Sequence, residues 1–443
     1  MQNQGIRDAR SLGTPKLLVL GLQHMFAMFG ATVLVPALTG LSVSATLLFA
    51  GLGTLFFHFL TKGKVPAFLG SSFAYLAGYA AIAPNGETAL LPYACVGVAA
   101  SGLLYLILAA LVRGFGANRV MRFFPPVVTG PIIICIGMTL ANSAINNCTG
   151  SWDIALVAII TVVVFNIWGK GMLRIIPILL GVLVSYTYAA VTGRVDFSGV
   201  ASAAWIGLPV KMENTVFSLI GNCDVNLLVT AIIAIMPIAF ATMIEHIGDI
   251  CAISSTVGEN FIADPGLHRT LLGDGLATSI ASLFGAPANT TYGENTGVLA
   301  LTRVYDPLVI RLAAVYAIIA SFCPKFAALV SAMPTGIIGG VSLILYGMIS
   351  AIGVRNLVEN RVDLAKSRNV IVVSLIISLA LGITFSAAGA ITFHVGEFTL
   401  NFSGLAVAAI VGIVVNAILP GKDYNFQNDY EYGKTTEDHG QML

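Results

Sequence analysis

Charge is what this chain has least of: 10% of its 443 residues are Asp, Glu, Lys or Arg, against roughly 25% in a soluble domain. A surface so poor in charge faces something other than water, and lipid is the direct answer. The net charge is only +1, with no basic run and no aromatic–basic interleaving, which argues against a nucleic-acid partner. Cysteine is sparse as well. Cys95, Cys135, Cys148, Cys223, Cys251 and Cys323 are scattered without a CxxC pair, so they read as small apolar residues and not as a disulfide or metal framework. Ser–His–Asp spacing, a metal cluster and a phosphate loop are all missing from the sequence, which leaves an enzyme without a catalytic constellation. The N-terminus, MQNQGIRDARSLGTPK, is polar; the first apolar segment is expected to insert and stay.

What the chain does have is apolar length. Hydrophobic residues make up 57% and mean hydropathy is +0.90. A helix crossing a ~30 Å hydrocarbon core needs about 20 apolar residues. Twelve segments meet that standard: about 17–38, 44–61, 91–112, 125–142, 153–169, 173–192, 226–250, 270–285, 305–330, 335–354, 367–386 and 401–419. Two more, about 65–83 and 286–302, are apolar only in part.

The positive-inside rule decides whether those two cross. With the N-terminus in the cytoplasm and fourteen crossings, 19 of the 22 Lys and Arg residues fall on the inner side. Only Arg194, Lys211 and Lys325 fall outside. Deleting the crossing at 65–83 would separate Lys62 and Lys64 from the Arg113, Arg119 and Arg122 cluster. Deleting 286–302 would separate Arg269 from Arg303 and Arg311. Both segments are therefore expected to cross.

Their composition says how. Residues 66–75, PAFLGSSFAY, and 287–294, PANTTYGE, are poor helix and tolerable strand. An extended chain climbs about 3.3 Å per residue against 1.5 Å in a helix. A short strand plus a half-helix thus spans the membrane with few apolar residues. Bare backbone at that depth needs burial in protein or a cavity to line, so the polar run GAPANTTYGENTGV, residues 285–298, is expected to line a cavity near the bilayer midplane. The broken segments are the third and the tenth crossings. Seven spans per half place them in corresponding positions of two inverted repeats, the pointer to a transporter's binding site. The fold class expected is an all-α polytopic membrane protein. It has 14 transmembrane segments in two 7-span inverted repeats, with spans 3 and 10 broken by short antiparallel strands.

Four carboxylates lie within expected spans: Glu245 and Asp249 on the eighth, Asp274 on the ninth and Glu294 on the tenth. Each costs about 2.5–3.5 kcal/mol if it faces lipid. Asp274 is expected close to the cytoplasmic end and structural. Glu245 and Asp249 are four apart and share a helix face, with Gly248 between them leaving room for close packing. Like charges that close favour one carboxyl keeping its proton, which suits proton coupling. His24, beside Gln23 on the first span, is expected to support the pocket. His246 points to another face of the eighth span and reads as structural, and His58 as packing. Phe73 and Tyr75 on a broken span can stack a flat ligand; Tyr346 is a further candidate.

At this point the sequence resembles the nucleobase–cation symporters of the uracil/xanthine (nucleobase–ascorbate) type. The family signature is Gln, Glu or Pro, then Asn, any residue, Gly, four residues, Thr, Arg; here it is ENTGVLALTR, Glu294 to Arg303. QHMFAMFGATVLVP, KGKVPAFLGSSFAY, EHIGD, DPGLHR and NTTYGEN are similar to the bacterial uracil permeases of that family. The likeness runs from about residue 14 to 420. It implies a core domain of spans 1–4 (1–113) and 8–11 (226–330), a gate domain of spans 5–7 (114–225) and 12–14 (331–420), and a cytoplasmic tail, 421–443. It also implies a homodimer in the bacterial inner membrane, both termini cytoplasmic, driven by protons, with no cofactor and no metal. Carried over by position, the substrate carboxylates are Glu245 and Glu294, the backbone amides Phe73 and Gly293, and the gate-side tyrosine Tyr346. Tyr292 and Asn295 join His24, Glu245 and Asp249 in pocket support and proton coupling. One position departs: the residue four after the first glutamate, histidine in some uracil permeases, is Asp249. The expected function is proton-coupled import of uracil. A xanthine or other purine symporter is the alternative of the same fold, and an anion exchanger or channel the alternative of another class.

Overall fold

The computed structural model describes residues 5–395 and 398–422, with a few side chains, that of Glu294 among them, outside the description. The tail expected at 421–443 lies outside the described residues from 423 on. The chain is mostly helical. Among the described residues, seven helices are long and apolar enough to cross a membrane, or eight if one sharply bent pair counts as a single span.

The principal elements are α1 (Thr14–Thr39), α2 (Val43–Leu60), β1 (Leu69–Ser71), α3 (Leu76–Ile82), α4 (Leu91–Phe115), α5 (Pro126–Cys148), α6 (Trp152–Trp168) and α7 (Pro177–Val191). After a long connection come α8 (Val225–Ile235), α9 (Ala239–Val257), α10 (Leu267–Leu283), β2 (Asn289–Thr291), α11 (Gly293–Thr302), α12 (Pro307–Ser321) and α13 (Pro324–Ser331). The chain ends with α14 (Thr335–Glu359), α15 (Ser367–Thr384), β3 (Ala390–Val395), β4 (Phe398–Ser403) and α16 (Gly404–Ile418). Helix carries all twelve apolar segments of the sequence. The segment 226–250 is interrupted by a 3₁₀ turn at Met236–Ile238, and two others differ in detail. The segment 305–330 is not one straight helix: α12 and α13 meet at 87°, because Cys323 turns extended and Pro324 can start a helix but not continue one. The segment 401–419 is helical only from Gly404, since residues 398–403 belong to a β3–β4 hairpin.

At the centre β1 and β2 pair antiparallel, Leu69 opposite Thr291, Gly70 opposite Thr290 and Ser71 opposite Asn289. Side chains of two flanking helices satisfy the outer edges of this short ladder. On the β1 side, Thr54 Oγ1 of α2 accepts the Leu69 N–H (2.9 Å) and His58 Nε2 donates to the Ala67 carbonyl (2.9 Å). On the β2 side, Asp274 and Thr278 of α10 serve Thr291 and Asn289. Backbone at membrane depth stays only where such partners exist.

Small residues let the surrounding helices touch. A Cβ on Gly102 of α4 would stand 2.4 Å from the Gly275 carbonyl of α10, and one on Gly353 of α14 would stand 2.6 Å from the Gly130 carbonyl of α5. Close backbone approach of this kind is how helices associate in lipid, where no hydrophobic force drives them together.

Contacts between loops sort them into two groups. Ile6 pairs with the α11–α12 connection (Ile6 N to Arg303 O, 2.7 Å; Tyr305 N to Ile6 O, 2.8 Å), Arg7 pairs with Glu259, and Lys64 pairs with Asp264. The N-terminus, the α2–β1 loop, the α9–α10 loop and the α11–α12 connection therefore share one face. Arg194 pairs with Asp153 and Lys325 lies over the Trp205 ring, which groups the charges assigned outside.

Candidate functional site

Both broken segments leave the ladder as half-helices whose N-cap residues make no side-chain capping bond. At the start of α11 the N-cap residue Tyr292 is extended and its side chain makes no capping bond. Phe73 opens a 3₁₀ turn after extended Ser72, again without a side-chain cap. First-turn N–H groups lack intrahelical partners and form the positive end of the helix. The ladder thus presents two sets of donors, one at each end.

The acceptors come from α9. Glu245 and Asp249 are both half-buried and one helical turn apart. Asp249 Oδ2 accepts the Thr291 hydroxyl (3.1 Å), and its Oδ1 lies 3.2 Å from where a Cβ on Gly293 would stand. A carboxylate therefore sits against the start of α11, as acceptor beside donor. Gly248 departs from the sequence expectation. It does not mark close packing, since a Cβ there would meet only Ile133 of α5, at 3.8 Å; one on Gly297 of α11 would meet no described atom within 4 Å. Gly248 thus leaves a narrow cleft between α9 and Ile133 of α5, whereas Gly297 is exposed. Near it the Phe73 ring packs edge-on against Tyr346 of α14, centroids 5.6 Å apart at 78°. Those two expected residues are in contact.

Behind the cleft lies a polar network that sequence reasoning missed. Asp274 is not near a helix end. It sits mid-way along α10, fully buried, and binds strand β2: Oδ1 accepts the Thr291 N–H (3.1 Å) and Oδ2 the Thr290 hydroxyl (2.9 Å). His246, also fully buried, does point to another face of α9, toward α10. Its Nδ1 lies 3.3 Å from Asp274 Oδ2 and 3.2 Å from Thr291 Oγ1. The pattern gave a hint, two carboxylates and a histidine on neighbouring spans, but not their pairing.

The remaining expected residues are placed as follows. Tyr292 is buried and folds back on β1, its hydroxyl donating to the Ser71 carbonyl (2.9 Å). Tyr75 bonds Thr242 of α9 (3.2 Å). His24 is fully buried on α1, a helix that packs on β1 and α11. Among the described side chains, neither nitrogen of His24 and neither amide atom of buried Asn295 has a hydrogen-bond partner. Buried polar groups of this kind call for a polar neighbour, ligand or water. The Glu294 backbone lies in the first turn of α11; its side chain lies outside the described part of the structure. A separate cavity of about 40 Å³, lined by Ala74, Ala77, Ile136, Leu140 and Ile238 among others, has room for a few waters at most. It is not the site.

Comparison with known proteins adds the following. The model of the xanthine/uracil permeases, described as "Permease family", matches residues 15–389. The uracil permease of Bacillus caldolyticus is 42% identical over 437 residues, covering 96% of each chain. The uracil permease of Escherichia coli (strain K12) is 38% identical over 410 residues, covering 90% of each. Among solved structures, the transmembrane domain of the cyanobacterial bicarbonate transporter BicA superposes with a TM-score of 0.62 at 13% identity, over 94% of this chain and 100% of that one. At that identity the likeness concerns the fold alone.

Proposed function

The chain belongs to the xanthine/uracil permease family, the nucleobase:cation symporters-2, which makes it a multi-pass membrane transporter and not an enzyme, and from that membership we propose that it imports uracil together with protons. The observation that carries this is the meeting of Asp249, on the carboxylate face of α9, with the start of α11. Uracil is a flat neutral ring with two N–H donors and two carbonyl acceptors. Carboxylates accept from its N–H edges, while backbone amides at half-helix starts donate to its carbonyls. Glu245 and Glu294 are the proposed acceptors, Phe73 and Gly293 the backbone donors, and Tyr346 the contact from the opposite wall. His24, Tyr292 and Asn295 support the pocket.

Fourteen spans in two inverted repeats fit this arrangement. Leu69 and Thr291 are register partners, and their N–H groups are received by Thr54 of α2 and Asp274 of α10. The second and ninth spans thus serve equivalent strands. Spans 1–4 and 8–11 then form the core, spans 5–7 and 12–14 the gate. The face shared by the N-terminus and the loops bearing Lys64 and Arg303 is the cytoplasmic one, with both termini there, in the bacterial inner membrane and in a homodimer. No cofactor is required; a proton carried by Asp249 and Glu245 is the coupling ion. The alternative of an anion exchanger meets two acidic side chains on α9, which repel an anion.

Phe73 offers a test of the backbone contact. Extended Ser72 (ψ 127°) accommodates a following proline, and the first position of a helical turn tolerates one. Phe73→Pro deletes the N–H and should weaken uracil binding five- to hundredfold, the equivalent of about 1–3 kcal/mol for an unpaired polar group. Phe73→Ala keeps the donor and should bind within about fivefold of wild type, the larger loss above being that of the unpaired group. Uracil binding to purified protein, competed with xanthine and thymine, decides both points. Equal losses in the two variants at unchanged melting temperature would assign the contact to the ring, and preference for xanthine would move the substrate to the purines.

A further inference from the structure

The network behind the cleft connects two carboxyl groups that belong to different helices. Asp274 on α10 has no exposed surface. It gathers the Thr290 hydroxyl, the Thr291 N–H and, at 3.3 Å, His246 Nδ1. His246 is equally buried, its ring held edge-on between Phe57 and Tyr105, with centroids 6.4 Å from each. Thr291 donates its hydroxyl to Asp249 (3.1 Å), so the same oxygen has lone pairs free to accept from His246 Nδ1, 3.2 Å away. The connection runs Asp274, His246, Thr291, Asp249. Each link crosses from one element to another: α10 to α9, α9 to β2, and β2 back to α9.

We infer that His246, Asp274 and Thr291 are positioning residues that clamp strand β2 onto α9 and so hold the Asp249 carboxylate against the first turn of α11. The reading rests on the uracil-transport assignment. Its physical basis is charge balance and direction. An ionised carboxyl with no exposure needs a compensating charge, and His246 is the proton carrier within reach of Asp274. Clamped this way, β2 carries a fixed hydroxyl that points at one oxygen of Asp249 and leaves the other facing Gly293. Without that hydroxyl the half-buried carboxylate loses its tie to β2.

Titratable residues on Asp249's own helix and on helices packed against it include Glu245 and His246 on α9, Asp274 on α10 and, by sequence position, Glu294 on α11. Thr291→Val and Thr291→Ser leave all of them in place.

Thr291→Val keeps the strand-forming shape and the N–H to Asp274 and removes only the hydroxyl; Thr291→Ser keeps the hydroxyl. In proteoliposomes Thr291→Val should raise KM for uracil at least fivefold, with the maximal rate within twofold and the ligand-free melting temperature unchanged. Thr291→Ser should stay within twofold of wild type in both constants. A Thr291→Val protein with wild-type KM would overturn the inference. So would a loss confined to melting temperature, which would make Thr291 merely structural. The buried pair is read without substrate: Asp274→Asn should lower the ligand-free melting temperature, and adding His246→Gln should restore part of it by matching two neutral amides. No recovery in the double variant would remove the pair from the clamp. Wild-type protein that bound no uracil would instead defeat the functional assignment, and the ligand-free comparison would still decide the clamp.

Discussion

Replacing either Glu245 or Glu294 by glutamine should reduce uracil uptake by at least tenfold while the protein remains in the membrane. Glu245 lies one turn before Asp249 on the half-buried face of α9, and Glu294 opens α11 next to Gly293. Glutamine is nearly the same size, so packing is preserved. What changes is direction: an NH₂ donor now meets a ring N–H, donor against donor. Leaving such groups unpaired in a buried site costs about 1–3 kcal/mol, and a site built to pair a polar edge discriminates most strongly when a partner is lost. Uptake of radiolabelled uracil, normalised to the protein in the membrane, measures it. Uptake within twofold of wild type for either variant would take that residue out of the site, and a gain of xanthine uptake would make it a specificity determinant.

The second large effect concerns the strand crossing. Gly70 lies under Tyr292: a Cβ there would stand 2.6 Å from two ring carbons and 3.0 Å from Thr32 Oγ1. The ring cannot move away freely, because its hydroxyl is held by the Ser71 carbonyl (2.9 Å). Gly70→Val should therefore force β1 and β2 apart, at a cost of about 1–3 kcal/mol or more for overpacking, and abolish transport. Gly248→Ala is the control. Its Cβ has 3.8 Å of clearance to Ile133, so melting temperature should stay at the wild-type value. If Gly70→Val melts with wild type and transports uracil, the crossing is not the rigid centre described here.

Much of this arrangement was legible in the sequence, for identifiable reasons. The sparse Lys and Arg residues put the N-terminus and the loops bearing Lys64 and Arg303 on one side, and the contacts of Ile6, Arg7 and Lys64 join the N-terminus to the α9–α10 loop and the α11–α12 connection, and the α2–β1 loop to the α9–α10 loop. PAFLGSSFAY and PANTTYGE showed where helix fails, and β1 and β2 form inside them over three residues each. What could not be read was which side chains meet across long separations. Helical periodicity turns His246 away from Glu245 but does not say that it faces Asp274, a residue on another helix. Gly248 illustrates the same limit: glycine between two carboxylates fits either close packing or open space, and only the neighbouring helix decides. The β3–β4 hairpin was a missed signal, since AITFHV and FTLNFS alternate in β-branched and aromatic residues about a two-residue connection containing glycine. The apolar content of the following helix masked it. The 87° break at Pro324 was visible as a proline, but apolar length alone suggested one span.

The central claim is that the carboxylate face of α9 and the start of α11 form a uracil site that carries a proton. Uracil is neutral near pH 7, so accumulation needs a coupled ion. Radiolabelled uracil uptake into proteoliposomes under an imposed pH gradient, acid outside and sodium replaced by choline, tests it most directly. The account predicts accumulation above the external concentration, growing as the external side is made more acid, and abolished by a protonophore. Asp249→Asn should flatten that dependence while uracil still binds. Uptake that followed sodium and survived the protonophore, or a protein that moved xanthine and ignored uracil, would contradict it.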